Sequence, residues 1–351
     1  MPTMKLDTPG EVRADERLDE EKLEAWLRNN VAGLDGPLRV EQFHGGHANL
    51  TYMLAFGERE IVVRRPPLGP IAPKAHDMGR EFRALSALAS EFPHSPRPLG
   101  FCEDLEVIGA PFLVMERRRG YVIRAGWPEF LPDDDRLRRR ISEQLIDALA
   151  DLHLVDTTRA DVAALGKPEG FVERQVNGWF GRWEKAKTRE IPDMDKAAEW
   201  CLAHIPAPIG VSVLHNDYKL DNCMYDGDDP GRLVAIFDWD MTSLGDPLID
   251  LGTLLGYWSD PGDEGQRGTG GAVTTLGGFL TRGEMTRRYA ERTGFDVSNI
   301  GFYETFALFK TAVVIEQIYV RWVRGQTKDD RFEGLGAIVP LLAAAAAKGC
   351  S

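Results

Sequence analysis

The chain has 351 residues, 43% hydrophobic and 28% charged, which fits a globular protein large enough for two domains or lobes. Its 55 acidic and 42 basic side chains leave a net charge of −13, which argues against nucleic-acid binding, because phosphate backbones need clustered Lys and Arg. No apolar run approaches the roughly 20 residues of a membrane span, and the polar start MPTMKLDTPGEVRADERLDEE lacks a signal peptide's apolar centre, so a cytoplasmic protein is expected. Cys102, Cys201, Cys223 and Cys350 show no C-x-x-C spacing, and His44 and His47 lack further ligands, so neither zinc nor a disulfide framework is expected.

Residues 1–17 read as a mobile acidic tail. From Leu18 to Asn30 the apolar Leu23, Trp26 and Leu27 recur at helical spacing, and Asn30 with Gly33 marks the stop. Three strands follow at Leu38–Phe43, Leu50–Phe56 and Glu60–Arg65, the first two joined by His44-Gly45-Gly46-His47-Ala48-Asn49. HDMGREFRALSALAS predicts a helix capped by Asp77, with Phe82, Leu85 and Leu88 buried. Leu99–Asp104 and Pro111–Met115 supply two more strands.

The remainder reads as mainly helical. Asp133 to Asp135 can cap a helix that runs to His153 and buries Ile141, Leu145, Leu149 and Leu152. Two helices are expected over 170–206, with Trp179, Phe180, Trp183 and Trp200 packing or walling an acceptor site. Asp246 should cap a helix from Pro247 to Trp258, after which SDPGDEGQRGTGG has the composition of a lid. Thr281 and Glu284 form a capping box for a helix to Thr293, and Ser298–Val323 reads as a long amphipathic helix. The end, AIVPLLAAAAAKGCS, is apolar and nearly neutral, and no internal repeat is visible.

The chemistry concentrates in Val213–Asp246, VLHNDYKLDNCMYDGDDPGRLVAIFDWDMTSLGD. Gly227 to Gly231 are residues that tolerate turn dihedrals, so Cys223–Asp226 and Leu233–Phe237 can pair as a hairpin. That hairpin would bring Asp238 beside Asn222. An Asn oxygen and an Asp carboxylate are the hard ligands that Mg2+ takes together with substrate phosphates, and Asp240 adds a third candidate ligand. Asp217 is then left to receive the proton of an attacking hydroxyl, and Lys219, two residues on, is placed to meet a transferred phosphate.

HNDYKLDN holds His215, Asp217 and Asn222 at the offsets of a kinase catalytic loop. With IFDWD and GDPLIDLG it resembles the aminoglycoside phosphotransferase (choline kinase-like) superfamily, Asn216 standing where the family has Gly. The resemblance implies an α+β, bilobal protein-kinase-like fold: a small N-terminal antiparallel-sheet lobe over 18–115 and a larger, mainly helical C-terminal lobe over 116–351. It further implies ATP (GTP not excluded) and Mg2+, with Gly45, Gly46 and Asn49 in the phosphate-facing loop. Arg64 would take the place of the usual Lys that contacts the nucleotide phosphates, paired with Glu81, and the backbone of Met115, Glu116 and Arg117 would meet adenine. Arg is no simple substitute for Lys, so the phosphate geometry is open to change.

VVRRPPLGP followed by HDMGREFRALSAL resembles one branch of that superfamily, in which the domain is fused to or encoded beside acyl-CoA dehydrogenases. The acceptor so implied is a hydroxyacyl-CoA, with a functional link to an acyl-CoA dehydrogenase. An aminoglycoside acceptor is the alternative, disfavoured by a C-terminus without the carboxylates that hold a polycation. VAIFDWDMT also matches the hhhDxDxT motif of aspartyl-phosphate hydrolases, with Asp238 as nucleophile and Asp240 as acid/base, although only mainly helical sequence follows it. A non-catalytic nucleotide-binding protein is a further alternative, suggested by Arg64. A protein kinase is disfavoured, as no A-P-E follows.

Overall fold

A computed structural model describes residues 7–45, 49–68, 76–124, 126–263, 267, 273–326 and 332–350. They form two compact units. The first contains the described residues up to Val122, together with Arg159–Leu165 and Asn222–Thr242; the second contains Ile123–Thr158, Gly166–Asp221 and the described residues from Ser243 onward.

The first unit is built on a five-stranded antiparallel sheet. Its strands are β1 (Leu38–Phe43), β2 (Leu50–Phe56), β3 (Arg59–Arg65), β4 (Pro98–Cys102) and β5 (Phe112–Glu116), in the order β1-β2-β3-β5-β4. One face carries Tyr52, Leu54, Phe56, Ile61, Val63 and Val114, which pack with Leu23 and Leu27 of helix α1 (Glu20–Asn30). Burying each such side chain contributes about 1.5–3 kcal/mol. Asp19 caps α1 by accepting from the Lys22 N–H.

Because strand side chains alternate, Val62 and Arg64 lie on the face opposite Ile61 and Val63. Helix α2 (Met78–Leu88) supplies the partner there, Glu81. Asp77 caps it as expected, and Leu85 and Leu88 are buried, but Phe82 is only half-buried, stacked on Phe101 at 5.5 Å. A short helix α3 (Leu105–Ile108) joins β4 to β5.

The segment read as an acidic tail is described from residue 7. Gly10 and Gln42 exchange backbone hydrogen bonds of 2.8 Å, and the Tyr52 hydroxyl donates to the Glu16 carbonyl at 2.7 Å. A second, three-stranded sheet orders β6 (Tyr121–Val122), β8 (Cys223–Tyr225) and β9 (Leu233–Ile236). The chain segment carrying α5 (Ala160–Ala163) also belongs to this unit.

The second unit is mainly helical. It contains α4 (Asp135–His153), α6 (Phe171–Ala186) and α7 (Pro192–Ala203). A two-stranded ladder joins β7 (Ser212–Leu214) to β10 (Ser243–Gly245), and α8 (Leu248–Tyr257), α9 (Arg282–Thr293), α10 (Ile300–Val323) and α11 (Leu335–Lys348) follow. α4 buries Ile141, Leu145, Leu149 and Leu152, and the Thr281–Glu284 capping box of α9 is present in both directions.

Where amphipathicity was expected, α10 is buried over most of its circumference, because α6, α7, α8 and α11 all pack on it. Gly252 on α8 permits one such approach: a Cβ there would stand 2.6 Å from the Tyr303 backbone carbonyl carbon. Of the expected lid, 264–266 and 268–271 lie outside the described residues.

Every described strand pair is antiparallel. Asp238 therefore does not follow a strand of a parallel sheet, the setting that the aspartyl-hydrolase reading required. Among the described residues, no helix is long and apolar enough to cross a membrane.

Candidate active site

In the first unit the candidate residues gather around Arg64. β3 places it opposite Thr51 and Leu113, and its Nη1 meets Glu81 Oε1 at 2.6 Å. Its Nη2 pairs with Asp238, while Asn49, oriented by its neighbours, accepts from Arg64 Nε and Nη2 at 3.2 and 2.6 Å and donates to His76 Nδ1 at 2.9 Å. The guanidinium thus binds two carboxylates and an amide.

Burial alone would lower the Arg64 pKa, but Glu81 and Asp238 outweigh it and raise it above the ordinary value. For Glu81 burial wins over the attraction of Arg64, and its carboxyl is pushed up to about 7.

The hairpin forms between β8 and β9, with Cys223 opposite Ile236 and Met224 opposite Ala235. Phe237 N–H then donates to the Asn222 carbonyl at 2.9 Å, so Asn222 and the residue after Phe237 share one end of it. Asp238 lies beyond the strand, in the left-handed region at φ 74°, which Asp tolerates better than most residues. Its side chain is only 27% exposed and is tied to Arg64. A 3-10 turn, Trp239–Met241, follows, with Trp239 buried edge-on against Phe92 at 5.8 Å and Asp240 half-buried.

Gly45 is exposed just past β1, and Gly46 lies outside the described residues. Met115 and Glu116 end β5, with Met115 opposite Val62. Glu116 accepts from the Arg97 N–H at 2.9 Å, and the Arg117 guanidinium lies 4.5 Å from the centre of the Phe43 ring.

In the second unit, β7 delivers the chain into His215-Asn216-Asp217. The carboxylate of Asp250, fully buried on α8, accepts from His215 N–H at 2.6 Å and Asn216 N–H at 2.7 Å. His153, the last residue of α4, lies 3.4 Å from Asp250 and 2.6 Å from the Tyr289 hydroxyl. Burial would raise Asp250, but the His153 contact, His215 and the backbone donor outweigh it and hold its carboxyl below the ordinary value. Asp246 braces the start of α8, accepting from Ile209 N–H, Leu248 N–H and the Tyr303 hydroxyl, each at 2.9 Å.

Asp217 and Lys219 come together. Lys219 Nζ is 2.9 Å from Asp217 Oδ2 and 5.2 Å from the centre of the Tyr257 ring. Burial opposes its charge, but Asp217 prevails and raises the Lys219 pKa. An open depression lies beside Lys219, with Ile123, Leu254, Trp258 and Val273 as its apolar lining and Arg124 and Asp221 as its other charged residues.

Lys310, on α10, donates from Nζ to the Asn216 carbonyl at 2.9 Å; sequence reasoning missed it, Asp250 and His153 as neighbours of this loop. Asp250 had a signal, since it lies within GDPLIDLG; a lysine in the middle of a long apolar helix gave none.

Residues 39–284 match the profile of the phosphotransferase enzyme family. Over 95% of its length the chain is 29% identical to mouse acyl-CoA dehydrogenase family member 10, and over 94% it is 30% identical to rat acyl-CoA dehydrogenase family member 11. It spans only 31% and 43% of those two proteins. A solved protein from Ralstonia eutropha JMP134, named as a candidate aminoglycoside phosphotransferase, is 30% identical with a TM-score of 0.80, covering 95% of this chain and 98% of that one. Aminoglycoside phosphotransferase APH(4)-Ia, solved with ADP and hygromycin B, shares the fold at 14% identity and a TM-score of 0.59, over 93% of this chain and 97% of that one. The chain belongs to the phosphotransferase enzyme family, a small-molecule kinase similar to the acyl-CoA dehydrogenase family members 10 and 11.

Proposed function

We propose that this chain transfers the γ-phosphoryl group of ATP to a hydroxyl of a small molecule. Asp217 takes the proton of the acceptor hydroxyl, the acceptor oxygen bonds to the γ-phosphorus, and the bond to the β–γ bridging oxygen breaks to release ADP. The observation that carries this reading is the Asp217–Lys219 pair on a loop whose backbone is fixed by a buried carboxylate: a base beside a cation suited to a transferring phosphate.

The donor set fits Mg2+. Asn222 and Asp238 offer hard oxygens at one hairpin end, with Asp240 two residues on, and two protein ligands are enough when phosphates complete the sphere. Bound there, the metal would neutralise charge on the transferring phosphoryl group. Arg64, supported by Glu81, serves the phosphates, Gly45 and Asn49 flank the loop over them, and the backbone of Met115 to Arg117 serves adenine.

A hydroxyacyl-CoA is the acceptor we favour. The similarity to the acyl-CoA dehydrogenase family members supports it, as does a depression whose charged lining among the described residues is Arg124, Lys219 and Asp221, which suits a polycation poorly. A functional link to an acyl-CoA dehydrogenase and a cytoplasmic location belong to the same proposal.

The test is a screen with γ-labelled ATP over hydroxylated metabolites, including hydroxyacyl-CoA thioesters and aminoglycosides. Label on a hydroxyacyl thioester, lost in Asp217→Asn, is the expected result. Label only on aminoglycosides would overturn the acceptor, and label trapped on Asp238 would overturn the mechanism.

A further inference from the structure

Lys310 lies in the middle of α10, half-buried among helices, and its Nζ donates to the backbone carbonyl of Asn216 at 2.9 Å. It also lies 5.6 Å from the centre of the Trp179 ring, and the Arg182 guanidinium lies 4.4 Å from the same centre. The charged groups that act on it are Asp217, Asp250, Lys219 and Arg182.

The bond has a specific geometric consequence. Asn216 takes a left-handed conformation, φ 66°, and is buried. Its N–H, in the peptide plane before it, is held by Asp250 at 2.7 Å. Its carbonyl, in the plane that leads into Asp217, is held by Lys310. Two successive planes are therefore fixed on either side of one strained residue, and the second plane sets the direction in which Asp217 leaves the backbone.

From this arrangement we infer that Lys310 is a positioning residue for the Asp217 carboxylate, acting through the Asn216–Asp217 peptide. The inference rests on the reading of Asp217 as the base. An ammonium donor suits the task, because a charge-assisted bond to a carbonyl is stronger than a neutral one. Packing alone would be met by methionine, which has similar length and no desolvation cost.

The test uses the whole chain with magnesium and ATP, water serving as acceptor, in Lys310→Met, Lys310→Arg, Lys310→Gln and Asp217→Asn. In Lys310→Met, turnover should fall at least about tenfold while the KM for ATP stays within about twofold, the signature of misplaced chemistry. Amide exchange should quicken at Asn216 to Tyr218 and nowhere else. Arg or Gln, each able to donate to the same carbonyl, should recover at least about threefold over Met.

The inference is overturned if Lys310→Met keeps turnover within about twofold, if loop exchange is unchanged, or if neither Arg nor Gln recovers activity. Unimpaired ATP consumption by Asp217→Asn would instead remove the base assignment, and the exchange measurement would still decide whether Lys310 holds the peptide.

Discussion

Arg64 uses its fork in a way that a lysine could not. One guanidinium arm reaches Glu81, the other reaches Asp238, and Asn49 accepts from the same group. Any phosphate that Arg64 contacts must share or displace these acceptors. Arg64→Ala should lower stability by on the order of 3–5 kcal/mol, because it leaves Glu81 buried without its cation. It should also raise the KM for ATP more than it lowers kcat, since a phosphate clamp serves ground and transition states alike. Asp217→Asn should do the reverse. ATP affinity should stay within a few-fold, while turnover falls roughly a hundredfold or more, the scale of positioned acid–base catalysis. Paired ATP titrations, with denaturant unfolding of each variant, check both expectations.

At the scale of elements, α8 organises the second unit's part of the site: Asp246 braces its start, Asp250 holds the loop, and Gly252 lets α10 approach. The Asp250 carboxyl is held below its ordinary value of 3.8 in the folded protein. The unfolded chain therefore binds that proton first as pH falls. The stability that Asp250 contributes is present above 3.8 and is lost as pH drops through its lower folded value. Asp250→Asn should flatten this acid limb of an unfolding-midpoint-against-pH profile; an unchanged limb would deny Asp250 its charged role. Most of these elements were legible beforehand, because strands β1 to β3, the α2 cap, the β8–β9 hairpin and the α9 capping box each rest on local chemistry. What escaped depends on distant partners. β7 and β10 are three residues each and pair across about thirty positions, β6 pairs with a strand a hundred residues away, and the burial of α10 follows from four neighbours that its own pattern cannot reveal. The Arg64–Asp238 pair, 174 positions apart, escaped for the same reason.

For the whole molecule, ligand linkage provides the most direct test of the metal assignment, since a ligand that binds only the folded chain raises its unfolding midpoint. At a hundredfold excess over Kd the gain is about 2.7 kcal/mol, a shift of several degrees for a protein of this size. Asp238→Ala complicates a direct reading, because it also strips Arg64 of one carboxylate and should lower the midpoint of the unliganded protein. The informative quantity is therefore the increment that magnesium adds to ATP, measured for each variant against the same protein with ATP and a chelator. That increment should be present in the wild type and absent in Asp238→Ala and Asn222→Ala, with the magnesium-free ATP shift largely retained in Asn222→Ala. Asp240→Ala should reduce it if this carboxylate is a third ligand. Arg64→Ala separates the two effects of Asp238: it breaks the same ion pair yet leaves both proposed ligands in place, so it should weaken the ATP shift while preserving a magnesium increment. If Asp238→Ala keeps the full increment, Asp238 is only the partner of Arg64, and the metal must be held elsewhere.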